Sequence, residues 1–389
     1  MSAERYIGVL SGTSLDALDL ALISINSSGG ITQLDALNWP LSAELQQQCH
    51  SLCTPGDNEL VRYGEADRRF AEAVAEGVNA LLQKNAFVAN DIRAIGSHGQ
   101  TVRHHPDAAP AFSLQLGCPH TIAALTGIPV VAQFRQKDIA LGGEGAPLAP
   151  ALHQQMFQVN NEERVLANIG GIANISHLPP SSETTLPIVG FDSGPGNTLM
   201  DYWVQKHLHK PFDHSGVWAE SGVVNGALLA KLLADPYFQR PPPKSTGREY
   251  FTPAWLERAL LEVNASSSTS AKVQAVDIQA TLLELTAVSL TNAIKSVSIH
   301  TIENTSQYPT TVYVCGGGAH NNALLKRCQT LCPEFSWRTT AALGVNPDWV
   351  EAVLFAWLAW AHCHQVAIDL RAVTGAKRPS ILGAYIPAN

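Results

Sequence analysis

Gly8-Val-Leu-Ser-Gly-Thr-Ser-Leu-Asp-Ala-Leu-Asp19 sets a glycine- and hydroxyl-rich turn between two apolar runs near the start of the chain. The run that follows, Leu20-Ala-Leu-Ile-Ser-Ile25, is short and rich in aliphatic and β-branched residues, so it predicts a strand rather than the helix of a P-loop. The turn therefore closes a hairpin. Backbone N–H groups in such a turn can face phosphate oxygens, glycine lets the chain come close, and Thr13 and Ser14 add hydroxyl donors. The turn contains no lysine, so triphosphate charge would call for a bound metal, with magnesium the expected ion. An ordinary tight turn is the competing reading of the same residues.

Working outward, Val165-Leu-Ala-Asn-Ile-Gly-Gly-Ile-Ala-Asn-Ile-Ser176 repeats the design: an apolar strand, a glycine turn and a second apolar strand. Two such hairpins in one chain suggest a duplicated fold, and two unrelated hairpins are the alternative. A third glycine turn, Val314-Cys-Gly-Gly-Gly-Ala-His-Asn-Asn322, follows another strand and precedes a helical pattern. Between them, Ile188-Val-Gly-Phe-Asp-Ser-Gly-Pro-Gly-Asn197 ends a strand on a carboxylate. Asp192 there suits a general base held on rigid backbone, or a side chain that merely caps its turn.

Further strands are predicted at 6–10, 18–25, 92–96, 128–132 and 311–315. An amphipathic helix is predicted over 60–82, and a second helix opening at Asp277 as its N-cap. Strands interleaved with helices indicate an α/β architecture. The Pro241-Pro-Pro-Lys-Ser-Thr-Gly-Arg248 stretch reads as a stiff loop whose Lys244 and Arg248 could lie near an anion.

Composition narrows the function. With 389 residues and 46% hydrophobic content, the chain can bury a large core and is long enough for two domains. A formal net charge of −8 with no basic run speaks against a nucleic-acid or anionic-membrane surface. The beginning of the chain resembles neither a signal peptide nor an anchor, and the dense apolar stretch 350–361 is too short to span a bilayer, so a cytoplasmic protein is expected. Seven scattered cysteines without a Cys-x-x-Cys pair are expected to be reduced thiols. The histidines at 98, 104, 105 and 120 lack a spacing that would gather them on one helix face as metal ligands.

Taken together, the motifs resemble the anhydro-N-acetylmuramic acid kinase family of the acetate and sugar kinase, Hsp70 and actin superfamily. The carriers span nearly the whole chain: Ser11-Gly-Thr-Ser14 with Asp16 and Asp19, Gly96-Ser-His-Gly-Gln-Thr101, Phe134-Arg135, Gly145-Ala-Pro-Leu148, Asn168-Ile-Gly-Gly-Ile-Ala-Asn174, Phe191-Asp-Ser-Gly-Pro-Gly-Asn197, Pro243-Lys-Ser-Thr-Gly-Arg-Glu249, Asp277-Ile-Gln-Ala-Thr-Leu282, Cys315-Gly-Gly-Gly318 and Glu351-Ala352.

The resemblance implies an α/β fold of two RNase H-like, actin-like ATPase domains flanking a nucleotide cleft. Residues 1–130, with 375–389 returning to them, would form the first domain and 131–374 the second. It implies ATP and Mg2+ as cofactors and a small sugar as substrate, with no nucleic-acid or membrane partner, and a homodimer. The implied reaction opens the 1,6-anhydro ring of 1,6-anhydro-N-acetylmuramic acid with water and phosphorylates the freed 6-oxygen, in peptidoglycan recycling. Asp192 would be the base that activates the water. ATP would be lined by Gly12, Thr13, Ser14, Leu15, Asp16, Ala17, Leu18 and Asp19, with Asn168, Gly170, Gly171, Gly316, Gly317 and Gly318. The sugar would meet His98, Gln100, Thr101, Arg135 and Glu351.

Three residues depart from the family pattern. Ala17 stands where glycine usually follows the first aspartate, Gln133 where an aspartate usually precedes Phe-Arg, and Glu144 where glutamine is usual. Another amino-sugar kinase, or an actin- or Hsp70-like ATPase without a sugar substrate, shares the paired hairpins and is the competing function. Activity toward a panel of anhydro and ordinary amino sugars separates them.

Overall fold

A computed structural model describes residues 3–12, 15–27, 29–183, 186–247, 250–266, 273–298 and 308–388. Thr13, Ser14 and Arg248, named above, lie outside the described residues. The chain divides into two compact units, Met1–Met156 with Trp349–Asn389, and Phe157–Asp348. The sequence expectation put the divisions after 130 and 374 instead. The helices Phe134–Ala140 and Ala149–Phe157, and the Val350–Cys363 helix, account for the difference, since Phe134, Leu148, Leu152 and most of Val350–Cys363 share one apolar cluster with Tyr6 and Leu10.

In chain order the strands are β1 (Glu4–Ser11), β2 (Ala17–Ile25), β3 (Ile31–Pro40), β4 (Ala94–Ser97), β5 (Gln100–His105), β6 (Phe112–Leu116) and β7 (Val130–Ala132) in the first unit. The second unit carries β8 (Glu163–Ile169), β9 (Ile172–Leu178), β10 (Val189–Pro195), β11 (Thr310–Cys315) and β12 (Ser336–Thr339), and β13 (Ala384–Ile386) returns to the first. The first sheet has the order β13-β7-β4-β1-β2-β3 and the second β10-β9-β8-β11-β12. In both, three antiparallel strands form a meander, and two further strands add in parallel beside the meander's first strand. The same topology occurs twice, as the repeated hairpin predicted. This is the RNase H-like arrangement.

Strand alternation divides the first unit's core between the two faces of its sheet. Ile7 and Val9 join Phe70, Val74 and Val78 of the Glu59–Lys84 helix, while Tyr6 and Leu10 face Val350–Cys363. Gly8 and Gly96 are register partners on β1 and β4. A Cβ at Gly8 would sit 1.8 Å from the Ala352 carbonyl oxygen, and one at Gly96 1.9 Å from that of Phe355. The helix thus rests its backbone directly on the sheet, which only glycine permits at those two positions. This explains why 352–361 is apolar on all sides: between exposed Glu351 and half-buried His362 it is a buried core helix.

In the second unit, Val165, Ala167, Ile169, Ala173, Ile175, Val312 and Val314 pack with Ile278, Leu282, Leu285 and Leu290 of the Ala275–Val297 helix. Asp277 does not cap this helix. Gln274 occupies that place, and Asp277 in the first turn accepts the Val223 N–H at 2.8 Å. Thr281, one turn on, accepts the Asn225 N–H at 2.9 Å, so the Asp-Ile-Gln-Ala-Thr motif pins the 223–225 loop.

Candidate active site

In the first unit, the β1–β2 turn is held from inside. Leu15 has a left-handed φ of 62°, donates its N–H to the Gly12 carbonyl at 3.2 Å, and buries its side chain in the core. Ala17 instead begins β2 and pairs with Pro40. Among the described residues of the turn the positive φ falls at Leu15, and Ala17 sits in extended strand, so alanine there is compatible with the observed backbone. Leu15 and Leu18 face the core, and any ligand contact from them is limited to their main chain. Asp16 is exposed, and Asp19 accepts the Asn38 amide at 2.9 Å.

His98 ends the β4 crossing, where it is buried with its ring 4.6 Å from that of Phe355. Arg135, from the first turn of Phe134–Ala140, donates Nε and Nη2 to His98 Nε2 at 3.1 and 3.0 Å. Because arginine only donates, Nε2 is the acceptor and the ring proton lies on Nδ1, which donates to the Gly99 carbonyl at 2.8 Å. Burial, then the Arg135 charge, hold the imidazole well below the usual histidine range, so His98 is neutral at pH 7. It serves as a rigid acceptor for the guanidinium.

A polar network continues from this pair along the β5–β6 hairpin. Gln115 donates to Thr101 Oγ1 and to Ser113 Oγ at 3.2 and 2.7 Å, and Gln136 donates to Gln115 at 3.0 Å. His104 lies 3.2 Å from Ser113 Oγ, and burial followed by the charge of Arg135 pushes it down to about 3. Four side-chain atoms in this neighbourhood are buried with no partner: Ser97 Oγ, Gln100 Oε1, His104 Nε2 and Gln136 Oε1. Buried polar atoms are ordinarily satisfied, so this concentration makes the neighbourhood the candidate place for a polar ligand or bound water. Glu351 lies one helical turn before Phe355, whose ring rests on His98, so it falls on the same helix face. The structure puts Arg135 on His98 and ties Thr101 into the hairpin network through Gln115, while Gln100 and the exposed Glu351 lie in the same unit.

Sequence reasoning missed what anchors the neighbouring loop. Asp138 is buried and accepts the Gly145 N–H and the Thr374 hydroxyl, both at 2.7 Å. Burial raises its carboxyl, with those two donors opposing. A Cβ at Gly143 would lie 2.2 Å from the Asp138 carboxylate, which accounts for that glycine. The Glu144 N–H donates to the Thr374 carbonyl at 2.9 Å, so the main chain at this position is part of the same loop anchor. Gln133 takes a left-handed φ of 59° ahead of its helix with no side-chain cap.

In the second unit, three glycine segments meet around Ile169 and Asn197. The Gly170 carbonyl accepts from Asn197 N at 2.8 Å, and that of Gly171 accepts from Gly196 N and Thr198 N at 2.9 and 3.1 Å. The hairpin's carbonyls are thereby committed to the start of Thr198–Leu208. In a trans peptide N–H opposes C=O, so the Gly171 N–H faces away from that helix. Gly316, at φ 75°, could not carry a Cβ because it would lie 2.4 Å from Asn168 Oδ1, and one at Gly318 would lie 2.4 Å from Ile169. Gly317 is open, with its nearest neighbour the Asn197 amide at 3.7 Å.

Asp192 is buried at a β-bulge on the edge strand β10. Its Oδ2 accepts the Thr246 N–H at 2.8 Å, its carbonyl accepts the Tyr237 hydroxyl at 2.8 Å, and its N–H donates to the Lys244 carbonyl at 3.2 Å. The proline-rich loop therefore covers the sheet edge, and the anion near its lysine is the Asp192 carboxylate.

Two RNase H-like sheets, each bearing a glycine turn between its first two strands, define a member of the acetate and sugar kinase, Hsp70 and actin superfamily. The family model described as anhydro-N-acetylmuramic acid kinase matches residues 4–388. The anhydro-N-acetylmuramic acid kinase of Coxiella burnetii is 46% identical over 384 residues, covering 99% of this chain and 98% of that protein. That of Shewanella amazonensis is 46% identical over 391 residues, covering both proteins completely. Among solved structures, the activator of the 2-hydroxyisocaproyl-CoA dehydratase from Clostridium difficile aligns over 92% of this chain and 96% of its own, at TM-score 0.46 and 10% identity. The chain belongs to the anhydro-N-acetylmuramic acid kinase family. It is a kinase of sugar metabolism.

Proposed function

We propose that this chain transfers the γ-phosphoryl group of ATP to the 6-oxygen of 1,6-anhydro-N-acetylmuramic acid while water opens the anhydro bridge. Asp192 takes a proton from water as the water oxygen bonds to the anomeric carbon. The bond from that carbon to the 6-oxygen breaks, and the 6-oxygen attacks the γ-phosphorus. ADP leaves, N-acetylmuramate 6-phosphate forms, and the proton passes from Asp192 to solvent. The observation that carries this reading is the buried Asp192 carboxylate, fixed at a β-bulge by the Thr246 N–H. A base held this way meets the positional demand of general-base catalysis.

The remaining assignments follow the same reading. Arg135, on its neutral His98 acceptor, with Gln100, Thr101 and Glu351, binds the sugar. Gly12 and 15–19, and Asn168, Gly170, Gly171 and Gly316–Gly318, contact the nucleotide. Thr13 and Ser14 belong to the same proposal by sequence. Magnesium takes one or two carboxylates beside phosphate oxygens and water, and Asp16 and Asp19 at the first turn suit that donor set. When bound, the ion offsets phosphate charge. Phosphoryl transfer then depends chiefly on positioning and charge stabilisation.

We further propose that the protein works in the cytoplasm as a homodimer, in the recycling of peptidoglycan sugars. Light scattering after size exclusion tests the dimer. Turnover in 18O-labelled water tests the chemistry, with label expected on the anomeric hydroxyl of the product and none in its phosphate. Label in the phosphate, or activity confined to ordinary amino sugars, would overturn it. Asp192→Asn should abolish turnover with ATP affinity retained, as measured by nucleotide titration.

A further inference from the structure

Lys244 is the only buried lysine among the described residues. An ammonium withdrawn from water is costly unless something compensates for the lost hydration. Its Nζ donates to the Tyr237 carbonyl at 3.3 Å and lies 4.8 and 5.7 Å from the ring centroids of Tyr237 and Phe191. Carbonyl and rings replace part of the hydration without supplying a counter-charge. Burial first, and then the Arg240 charge, push the lysine below its usual range, and the negative charge of Asp192, next along β10 from Phe191, acts against them.

The same lysine is tied to Asp192 by two routes, one direct and one relayed through Tyr237. Its own carbonyl accepts the Asp192 N–H, its ammonium holds the Tyr237 carbonyl, and the Tyr237 hydroxyl donates to the Asp192 carbonyl. Two residues beyond Lys244, the Thr246 N–H caps the carboxylate. The groups facing this pair are Tyr237 from Pro236–Gln239, Arg240, Phe191 on β10, and Asn174 opposite Asp192 on β9, while the Ser193 hydroxyl is engaged with the Ala173 carbonyl. Arg248 and Glu249, further along the loop, are outside the described residues.

We propose that Lys244 is a positioning residue for Asp192: its buried ammonium holds the carboxylate ionised and in register while the loop it anchors fixes the carboxylate's orientation. The inference rests on Asp192 acting as the base. A base must be unprotonated to work, so the acid limb of the rate profile reports the field that Lys244 supplies. A lysine serving only as packing would leave that limb in place.

The test compares Lys244→Met, which keeps the stem and removes the charge, with Lys244→Arg, which keeps the charge. ADP release with the anhydro sugar is followed from pH 5 to 9. Lys244→Met should move the acid limb of kcat/KM upward by about one pH unit and reduce kcat/KM on that limb about tenfold, with KM for ATP changed less than about twofold. Lys244→Arg should return the limb toward its original position. An unmoved limb in a folded Lys244→Met protein overturns the proposal, as does an equal displacement in Lys244→Arg. If Lys244→Met does not fold, Tyr237→Phe serves, because it removes the hydroxyl on the Asp192 carbonyl and leaves the ammonium. There kcat should fall with the limb unmoved, and a moved limb refutes the charge role. Failure of the base assignment is distinguished by Asp192→Asn: turnover retained there refutes the base, whereas an inactive Asp192→Asn with an unmoved limb in Lys244→Met refutes only the role of Lys244.

Discussion

Replacing His98 by phenylalanine isolates the acceptor on which Arg135 rests. The ring against Phe355, at a centroid distance of 4.6 Å, is retained, and the Nε2 that receives two guanidinium N–H groups is lost. Hydrogen bonds to charged groups contribute about 1.5–3 kcal/mol. The two N–H groups share one nitrogen, so the loss is taken as one such interaction. If Arg135 binds the sugar, losing its orientation should lower kcat/KM for the sugar roughly ten- to a hundred-fold, at 1.36 kcal/mol per tenfold. KM for ATP should stay within about twofold. The assay is coupled ADP release at varied sugar and saturating ATP, then at varied ATP and saturating sugar. A folded His98→Phe protein with unchanged kcat/KM for the sugar would refute the reasoning, because the His98 contact would then have no bearing on how Arg135 meets substrate.

Acid should weaken the first unit before the second. His98, His104 and His153 all titrate well below the usual histidine value, the last two near 3, chiefly through burial. Below pH 6.5 the unfolded chain binds protons that the native unit excludes, so stability falls with pH, by about 1.4 kcal/mol per histidine at pH 5.5 or about 4 kcal/mol for the three. Hydrogen exchange, corrected for intrinsic rates, should show protection lost earlier in β1 and β4 than in β8 and β11; equal loss would contradict this. Gly96→Ala should destabilise by more than about 3 kcal/mol, since the clash is with the Phe355 backbone, and a near-native denaturation midpoint would count against the observed packing. Gly317→Ala should fold normally and raise KM for ATP about tenfold if the nucleotide approaches that backbone, whereas Gly318→Ala should lose stability against Ile169. Unchanged nucleotide affinity in Gly317→Ala would remove the third turn from the ATP site.

Much of the fold was legible because its signals are local. The β1–β2 and β8–β9 hairpins, β4, β7, β10, β11 and the Glu59–Lys84 helix all follow from runs of a few residues whose apolar spacing and turn chemistry lie within one element. β3 gave less signal, since it is a half-exposed edge strand in which buried and exposed positions blur. β5 and β6 give little signal because they are short and rich in polar side chains, Gln100 and Thr101 of the proposed sugar site among those on β5. The Asp277 cap was misplaced by three residues, since an aspartate near a helix start serves equally well in bonding a distant loop.

The sequence by itself determined which segments become strands and turns, and its motifs were sufficient to identify the family. Only the tertiary structure decided what those motif residues do for one another. His98 and Arg135 are 37 positions apart, and Asp192 and Thr246 are 54 apart. No local spacing encodes that one is the other's acceptor, or that the lysine of a proline-rich loop is buried near a carboxylate that sits at a bulge within its strand rather than at the strand's end. The reason is physical: propensity and periodicity act over a few residues, whereas a buried charge or an oriented side chain is fixed by whichever elements the packed core brings against it.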